Sequence, residues 1–202
     1  MLQVAAADIS CQRGGVEVFS QLSFSLRPGS FVAVRGPNGA GKSSLLRLLA
    51  GLNETTSGTL RHEGSEPGHP LHEQCHYIAH QDAIKSSFTV RENLAFWSRF
   101  FGENTMPSTI FDHFSLAELA DVVASRLSAG QKRRLALTRL MLTPRSLWLL
   151  DEPSVGLDER ALKNLVDVIA DHRQSGGIIL ASTHVSFGLE PDQTINLGSP
   201  AP

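Results

Sequence analysis

Phe31-Val32-Ala33-Val34-Arg35-Gly36-Pro37-Asn38-Gly39-Ala40-Gly41-Lys42-Ser43-Ser44 begins as a short β-rich run and ends in a glycine-rich loop. Leu45, Leu46, Leu48 and Leu49 follow at helical spacing, and Gly51 stands where that helix should stop. Strand, loop and helix in this order, with the spacing Gly-x-x-x-x-Gly-Lys-Ser from Gly36 to Ser43, predict a phosphate-cradling loop. Glycines allow successive backbone N–H groups to turn inward around an anion, and the helix N-terminus adds positive potential. Lys42 is placed to reach the β/γ oxygens of a nucleotide and Ser43 to ligate Mg²⁺. The expected nucleotide-binding set is Gly36, Pro37, Asn38, Gly39, Ala40, Gly41, Lys42, Ser43 and Ser44.

Working outward, Val16 to Leu26 alternates loosely and ends at the turn signal Arg27-Pro28-Gly29, which predicts antiparallel strands before the loop. Cys75 to Ala79 reads as a strand running into His80-Gln81. From Val90 to about Leu119 the pattern is helical, with a break at Met106-Pro107. Ser128 can cap a helix continuing through Leu135, Leu140 and Met141 until Pro144 ends it. Leu147-Trp148-Leu149-Leu150 is apolar at every position, as a parallel strand buried on both faces should be. Leu162, Leu165, Val166 and Ile169 fall at i, i+3, i+4 and i+7, so a helix crosses back to the next buried strand, Ile178 to Ala181, which ends near His184. The expected fold is α/β: a parallel-sheet core, an N-terminal antiparallel β subdomain, and a helical insert spanning roughly residues 82–142. All of it forms a single domain over 1–202.

Composition narrows the function classes. Hydrophobic residues at 41% and charged residues at 19% suit a globular core. A net charge of -2 offers no electrostatic case for nucleic acid. Two cysteines, Cys11 and Cys75, are too few for a disulfide framework and fit a reducing cytoplasm. The segment Met1 to Ser10 has no basic residue ahead of its apolar stretch, unlike a signal peptide. No apolar run approaches the roughly 20 residues that cross a bilayer, so membrane association is expected through a partner.

Chemistry gathers at the end of the Leu147–Leu150 run. There Asp151 can hold Mg²⁺ directly or through water, and Glu152 can polarise an attacking water as general base. Between the phosphate loop and these acids stands Leu127-Ser128-Ala129-Gly130-Gln131. In this order the three motifs resemble the ATP-binding cassette (ABC) ATPases, whose fold is that of the P-loop NTPases. The resemblance implies ATP and Mg²⁺ as cofactors and a homodimer in which each signature pentapeptide completes the partner's ATP site, with Ser128 and Gly130 touching its γ-phosphate. It implies that Gln81 senses the γ-phosphate and the water, joining Ser43 and Asp151 around Mg²⁺. It likewise implies that Asp158, in Ser154-Val155-Gly156-Leu157-Asp158, couples the two sites and that His184 contacts the γ-phosphate. Glu152, His184 and Gln81 are the implied catalytic residues. Ala129 stands where a second glycine is commoner. The family's adenine-stacking aromatic falls near Arg13, where no aromatic stands; a guanidinium can also stack on a base.

Within the family the chain is most similar to the CcmA group, ATP-binding subunits of bacterial cytochrome c maturation transporters. The likeness rests on Ile78-Ala79-His80-Gln81, Ile84-Lys85, Thr89 to Phe96, Leu127 to Arg134, Leu147 to Pro153 and Gly176 to Leu180. It implies a peripheral ATPase on the cytoplasmic face of the bacterial inner membrane. Its permease would be of the CcmB/CcmC type, it would serve haem export or haem-chaperone release, and it would bind no nucleic acid. An ABC ATPase for another exporter cargo and a soluble ABC ATPase outside transport both remain open on these residues.

Three further patterns invite other readings. His72-Glu73-Gln74-Cys75-His76 is a literal His-Glu-x-x-His, but zinc-peptidase chemistry needs it on a helix and here it merges into a β-rich run. Five of eight histidines (His62, His69, His72, His76, His80) crowd that region, so metal binding there stays open. Lys132-Arg133-Arg134 with Arg139 reads as a solvated helix face. Phe88, Phe96, Trp97, Phe100, Phe101, Phe111 and Phe114 exceed what a short insert can bury, which predicts a shared role in a small core and in a docking groove.

Overall fold

A computed structural model describes residues 1–64, 68–183 and 188–198. Its strands, numbered in chain order, are β1 (Gln3–Arg13), β2 (Val16–Leu26), β3 (Phe31–Arg35), β4 (Ser57–Glu63), β5 (Cys75–Ile78), β6 (Leu147–Asp151), β7 (Ile178–Ser182) and β8 (Gln193–Asn196). β2, β1 and β4 pair antiparallel in that order, and the other five form a parallel sheet ordered β5-β6-β7-β3-β8. Parallel pairing puts the C-terminal ends of β3, β5, β6 and β7 along one edge. There the phosphate loop, the Gln81 loop and Asp151 all emerge, the usual ligand edge of an open α/β sheet.

Strand β6 shows why the sequence reads as it does. Trp148 and Leu150 face one apolar cluster with Phe114, Leu94 and Leu165, while Leu147 and Leu149 face a second with Leu45, Leu46 and Leu26. Both faces are covered, so alternation vanishes and every position is apolar. Each such leucine contributes roughly 1.5–3 kcal/mol relative to exposure.

The helices are α1 (Lys42–Leu49), α2 (Val90–Phe100), α3 (Ala129–Thr138) and α4 (Glu159–Gln174). Helix α1 stops at Gly51 as expected, with φ of 71° there and the Leu52 N–H bonded to the Arg47 carbonyl at 2.8 Å. The expected helical segment from Val90 to about Leu119 is shorter than its pattern. It opens on a capping box between Thr89 and Glu92 and closes after Phe100. Gly102 at φ 89° lets its N–H reach the Arg99 carbonyl at 3.0 Å and the Glu103 N–H reach Ser98 at 2.9 Å, a Schellman closure. Beyond it, single 3₁₀ turns at Ser108–Phe111 and Ala117–Leu119 carry the chain while Ile110, Phe111, Phe114 and Leu116 are buried. The apolar spacing survives the break because both sides serve one cluster.

The histidine-rich stretch does not form a peptidase helix. His72 and Glu73 lie in a 3₁₀ turn and His76 in β5, where its Nε2 pairs with the Thr143 carbonyl at 2.9 Å. His62 Nε2 instead meets the His69 carbonyl at 3.0 Å, and His69 Nδ1 meets Glu73 at 3.0 Å. Among the described residues no group of three or more His, Cys, Asp or Glu is placed to hold a metal ion.

Burial pushes His76 down to about 4, with nearby Arg145, Arg139 and His172 lowering it further and the Thr143 bond opposing. Because the folded value lies below the unfolded one, the unfolded chain binds the extra proton between them. This contribution is complete above about pH 6.5 and is lost as pH falls toward about 4, up to roughly 3 kcal/mol. Thermal melts across that window should show a falling midpoint, less steep in His76→Gln; equal slopes would mean the imidazole titrates as if solvated.

Candidate active site

The phosphate loop is built where glycine is sterically required. Gly41 caps α1 at φ 99°, and a Cβ there would stand 2.6 Å from Val18 Cγ1. At Gly36, φ 149°, a Cβ would run into the Leu197 carbonyl. Lys42 is only 8% exposed, and its ammonium donates to the Gly36 and Pro37 carbonyls at 2.8 and 3.1 Å. The loop's own oxygens thus satisfy the buried charge beside the place a phosphate would take.

At the end of β6, buried Asp151 accepts the Ser182 hydroxyl through Oδ1 at 2.6 Å. The same Ser182 holds the Glu152 N–H, by its Oγ at 3.1 Å and its carbonyl at 3.0 Å. Glu152 needs that hold, since at φ 48° it is a non-glycine residue in the left-handed region. Such a conformation costs on the order of 1–3 kcal/mol and persists where the surroundings over-determine it. Ser182 carries no functional mark in its own sequence neighbourhood. Its signal lies in strand register, which sets Asp151 opposite Ser182.

Asn38, Gly39, Gly41, Lys42, Ser43, Ser44, Asp151 and Glu152 line one cleft of about 540 Å³ with Arg13 and Val18. An adjoining cleft of about 910 Å³ brings Gln81 to Ser43 and Asp151. Arg13 and His80 line both, and His80 was not singled out as a site residue from sequence. Gly36, Pro37 and Ala40 form the back of the loop against the Leu197–Gly198 turn. His184 lies outside the described residues. Ser43 hydroxyl, Gln81 amide oxygen and the Asp151 carboxylate are hard oxygen donors with a single full charge. They fit Mg²⁺, which completes its shell with water and phosphate.

None of Leu127 to Gln131 lines either cleft. Leu127 is buried, and Ser128 and Gln131 close a capping box on α3, with bonds of 3.2 Å to the Gln131 N–H and 2.8 Å to the Ser128 N–H. A Cβ on Gly130 would stand 2.6 Å from the Gly156 carbonyl, so the loop 154–158 crosses directly over the start of α3, which Ala129 opens. Asp158 caps α4, its Oδ1 accepting the Ala161 N–H at 2.8 Å. The expected solvated basic face is wrong for two of its members. Arg133 and Arg139 are each 4% exposed: Arg133 turns onto carbonyls just after β5 and at the end of β6, and Arg139, in the 3₁₀ turn Arg139–Met141 after α3, packs toward α2. Arg139 lies over the Trp97 ring at 4.4 Å, and burial lowers it to about 10.

The aromatic residues divide. Phe111 and Phe114 are core, Trp97 and Phe101 pack against it, and Phe100 is 67% exposed beside Phe96. Lys85 sits 4.4 Å above the Phe96 ring.

Comparison with known proteins adds the following. The family described as ABC transporter matches residues 19–155. The cytochrome c biogenesis ATP-binding export protein CcmA of Rhodopseudomonas palustris (strain BisB5) is 46% identical over 182 residues, 90% of this chain and 91% of that protein. The CcmA of Chelativorans sp. (strain BNC1) is 40% identical over 200 residues, covering 98% and 99%. A solved ATP-binding subunit of an ABC transporter superposes with a TM-score of 0.84 at 25% identity, over 96% of this chain and 85% of that one.

Proposed function

The chain belongs to the ABC transporter family, within it to the CcmA proteins, and on that premise we propose that it hydrolyses ATP to energise c-type cytochrome biogenesis at the bacterial inner membrane. One observation carries the catalytic reading: Lys42, Ser43, Asp151 and Glu152 line a single cleft at the strand ends, with Gln81 on the cleft beside it.

In this reading the loop N–H groups and Lys42 bind the phosphates, the Lys42 ammonium exchanging the Gly36 and Pro37 carbonyls for phosphate oxygens. Ser43, Asp151 and Gln81 would hold Mg²⁺, which would supply positive charge to neutralise the phosphate oxygens. Glu152 takes the proton of the attacking water, and Gln81 and His184 orient water and γ-phosphate. Ser128 and Gly130 reach the γ-phosphate of a second copy docked head to tail, an anion contact suited to a helix N-terminus. That arrangement accounts for a signature segment outside the cleft of its own chain.

Closure of the two copies would move a permease of the CcmB/CcmC type, with this subunit peripheral on the cytoplasmic face. The exposed Phe100 ring, stacked on Phe96, is the proposed docking face. Haem-stained c-type cytochromes in a deletion strain test the assignment. Wild type should restore them, while Glu152→Gln should fail with the subunit still on membranes and Phe100→Glu should fail with it released. Normal cytochromes in the deletion strain would point to another cargo.

A further inference from the structure

Arg133 makes a set of bonds that its reading as a solvated residue would not predict. Only 4% exposed, its guanidinium makes five hydrogen bonds to two separate segments. Nη2 donates to the carbonyls of Asp151 and Glu152 at 2.7 and 2.9 Å, and Nε to that of Pro153 at 3.3 Å. Nη1 donates to the Ala79 carbonyl at 2.8 Å and to Asp82 Oδ1 at 2.9 Å. Ala79 and Asp82 bracket Gln81 on its loop. Asp151, Glu152 and Pro153 carry the acids at the end of β6. Arg133 itself lies in the second turn of the helix that Ser128 caps.

We propose that Arg133 is a positioning residue that ties the signature helix α3 to the hydrolytic carboxylate and to the Gln81 loop. The geometry at Glu152 is the strongest argument. Its left-handed backbone is held from both sides, the N–H by Ser182 and the carbonyl by Arg133. Remove the guanidinium and that peptide is free to relax toward ordinary φ, swinging the carboxylate. The same fork fixes both flanks of Gln81, so one side chain sets the mutual placement of base and sensor.

Lysine cannot substitute. A guanidinium offers five donors in a rigid plane, whereas an ammonium offers three from one point and cannot span carbonyls on two loops. Arg133 touches none of the reacting atoms in this scheme. Its effect runs through Glu152 and Gln81, and the inference therefore rests on their assignment above.

The test uses the full chain carrying Arg133→Lys or Arg133→Gln, with Glu152→Gln alongside, and reads MgATP affinity, kcat and thermal midpoint. Arg133→Lys keeps a cation for Asp82 and decides the matter if Arg133→Gln does not fold. The expected result is a split: affinity within about threefold of wild type and kcat lower by about 10- to 100-fold, the usual penalty for losing an orienting partner. A kcat within about twofold of wild type in Arg133→Lys overturns the inference. So does a parallel fall of affinity, kcat and midpoint, which a merely structural arginine would give. If Glu152→Gln keeps its turnover, the assignment of Glu152 falls and Arg133 falls with it. An inactive Glu152→Gln beside a fully active Arg133→Lys overturns the Arg133 inference alone.

Discussion

Glu152→Gln should bind MgATP about as tightly as wild type while its turnover falls by roughly 10²–10⁴-fold, the share a positioned general base contributes. The amide has nearly the carboxylate's shape but cannot take a proton from water. Ser182 holds the main chain of residue 152 at its N–H and Arg133 at its carbonyl. Substitution at the side chain leaves that backbone clamp in place, and the isosteric amide keeps the side chain's shape, so the expected loss is chemical. With hydrolysis blocked and binding intact, the ATP-bound closed dimer should accumulate and be seen by size-exclusion chromatography in ATP. Turnover near wild type would move the base elsewhere.

Lys42→Ala should weaken MgATP binding by on the order of 100-fold, read by isothermal titration. The ammonium lies within the phosphate loop, on the Gly36 and Pro37 carbonyls, and a charge-assisted hydrogen bond contributes about 1.5–3 kcal/mol. Two such bonds to phosphate replace the two that Lys42 makes to Gly36 and Pro37 in the free protein. Alanine leaves both carbonyls without that donor, so a modest drop in thermal midpoint should accompany the loss. Unchanged affinity would mean that the loop N–H groups alone bind the nucleotide.

The core was legible wherever local chemistry and burial agree. Arg27-Pro28-Gly29 marked the end of the strand that closes at Leu26, and Leu147 to Leu150 announced a strand covered on both faces. The Ser128 cap and its partner Gln131 belong to the same class, since a capping box closes within a few residues. The end of α2 was also local, and Gly102 was the residue to weigh. Periodicity ran past it because the apolar residues on either side share one core.

Charge was read less well. Arg133 and Arg139 look like neighbours of Lys132 and Arg134 on a wet helix face. Arg133 is taken up by backbone carbonyls from the loop after β5 and the end of β6, and Arg139 by the Ala136 carbonyl and the Trp97 ring; carbonyl positions carry no mark in side-chain identity. Ser182 is the same case, an ordinary residue at the end of an apolar run until strand register sets it opposite Asp151.

By itself, then, the sequence determined the phosphate loop, the acids at the end of β6, the signature cap and the succession of β3, α1, β5, β6, α4 and β7, because each rests on spacing within a turn, a helix or a strand. Tertiary structure alone decided that Ser43, Gln81, Asp151 and Glu152 share adjoining clefts, that Gly130 must admit the Gly156 carbonyl, and that Arg133 and Ser182 hold Glu152 in a strained conformation. Those facts depend on which strand ends lie side by side, a long-range pairing that no local pattern encodes.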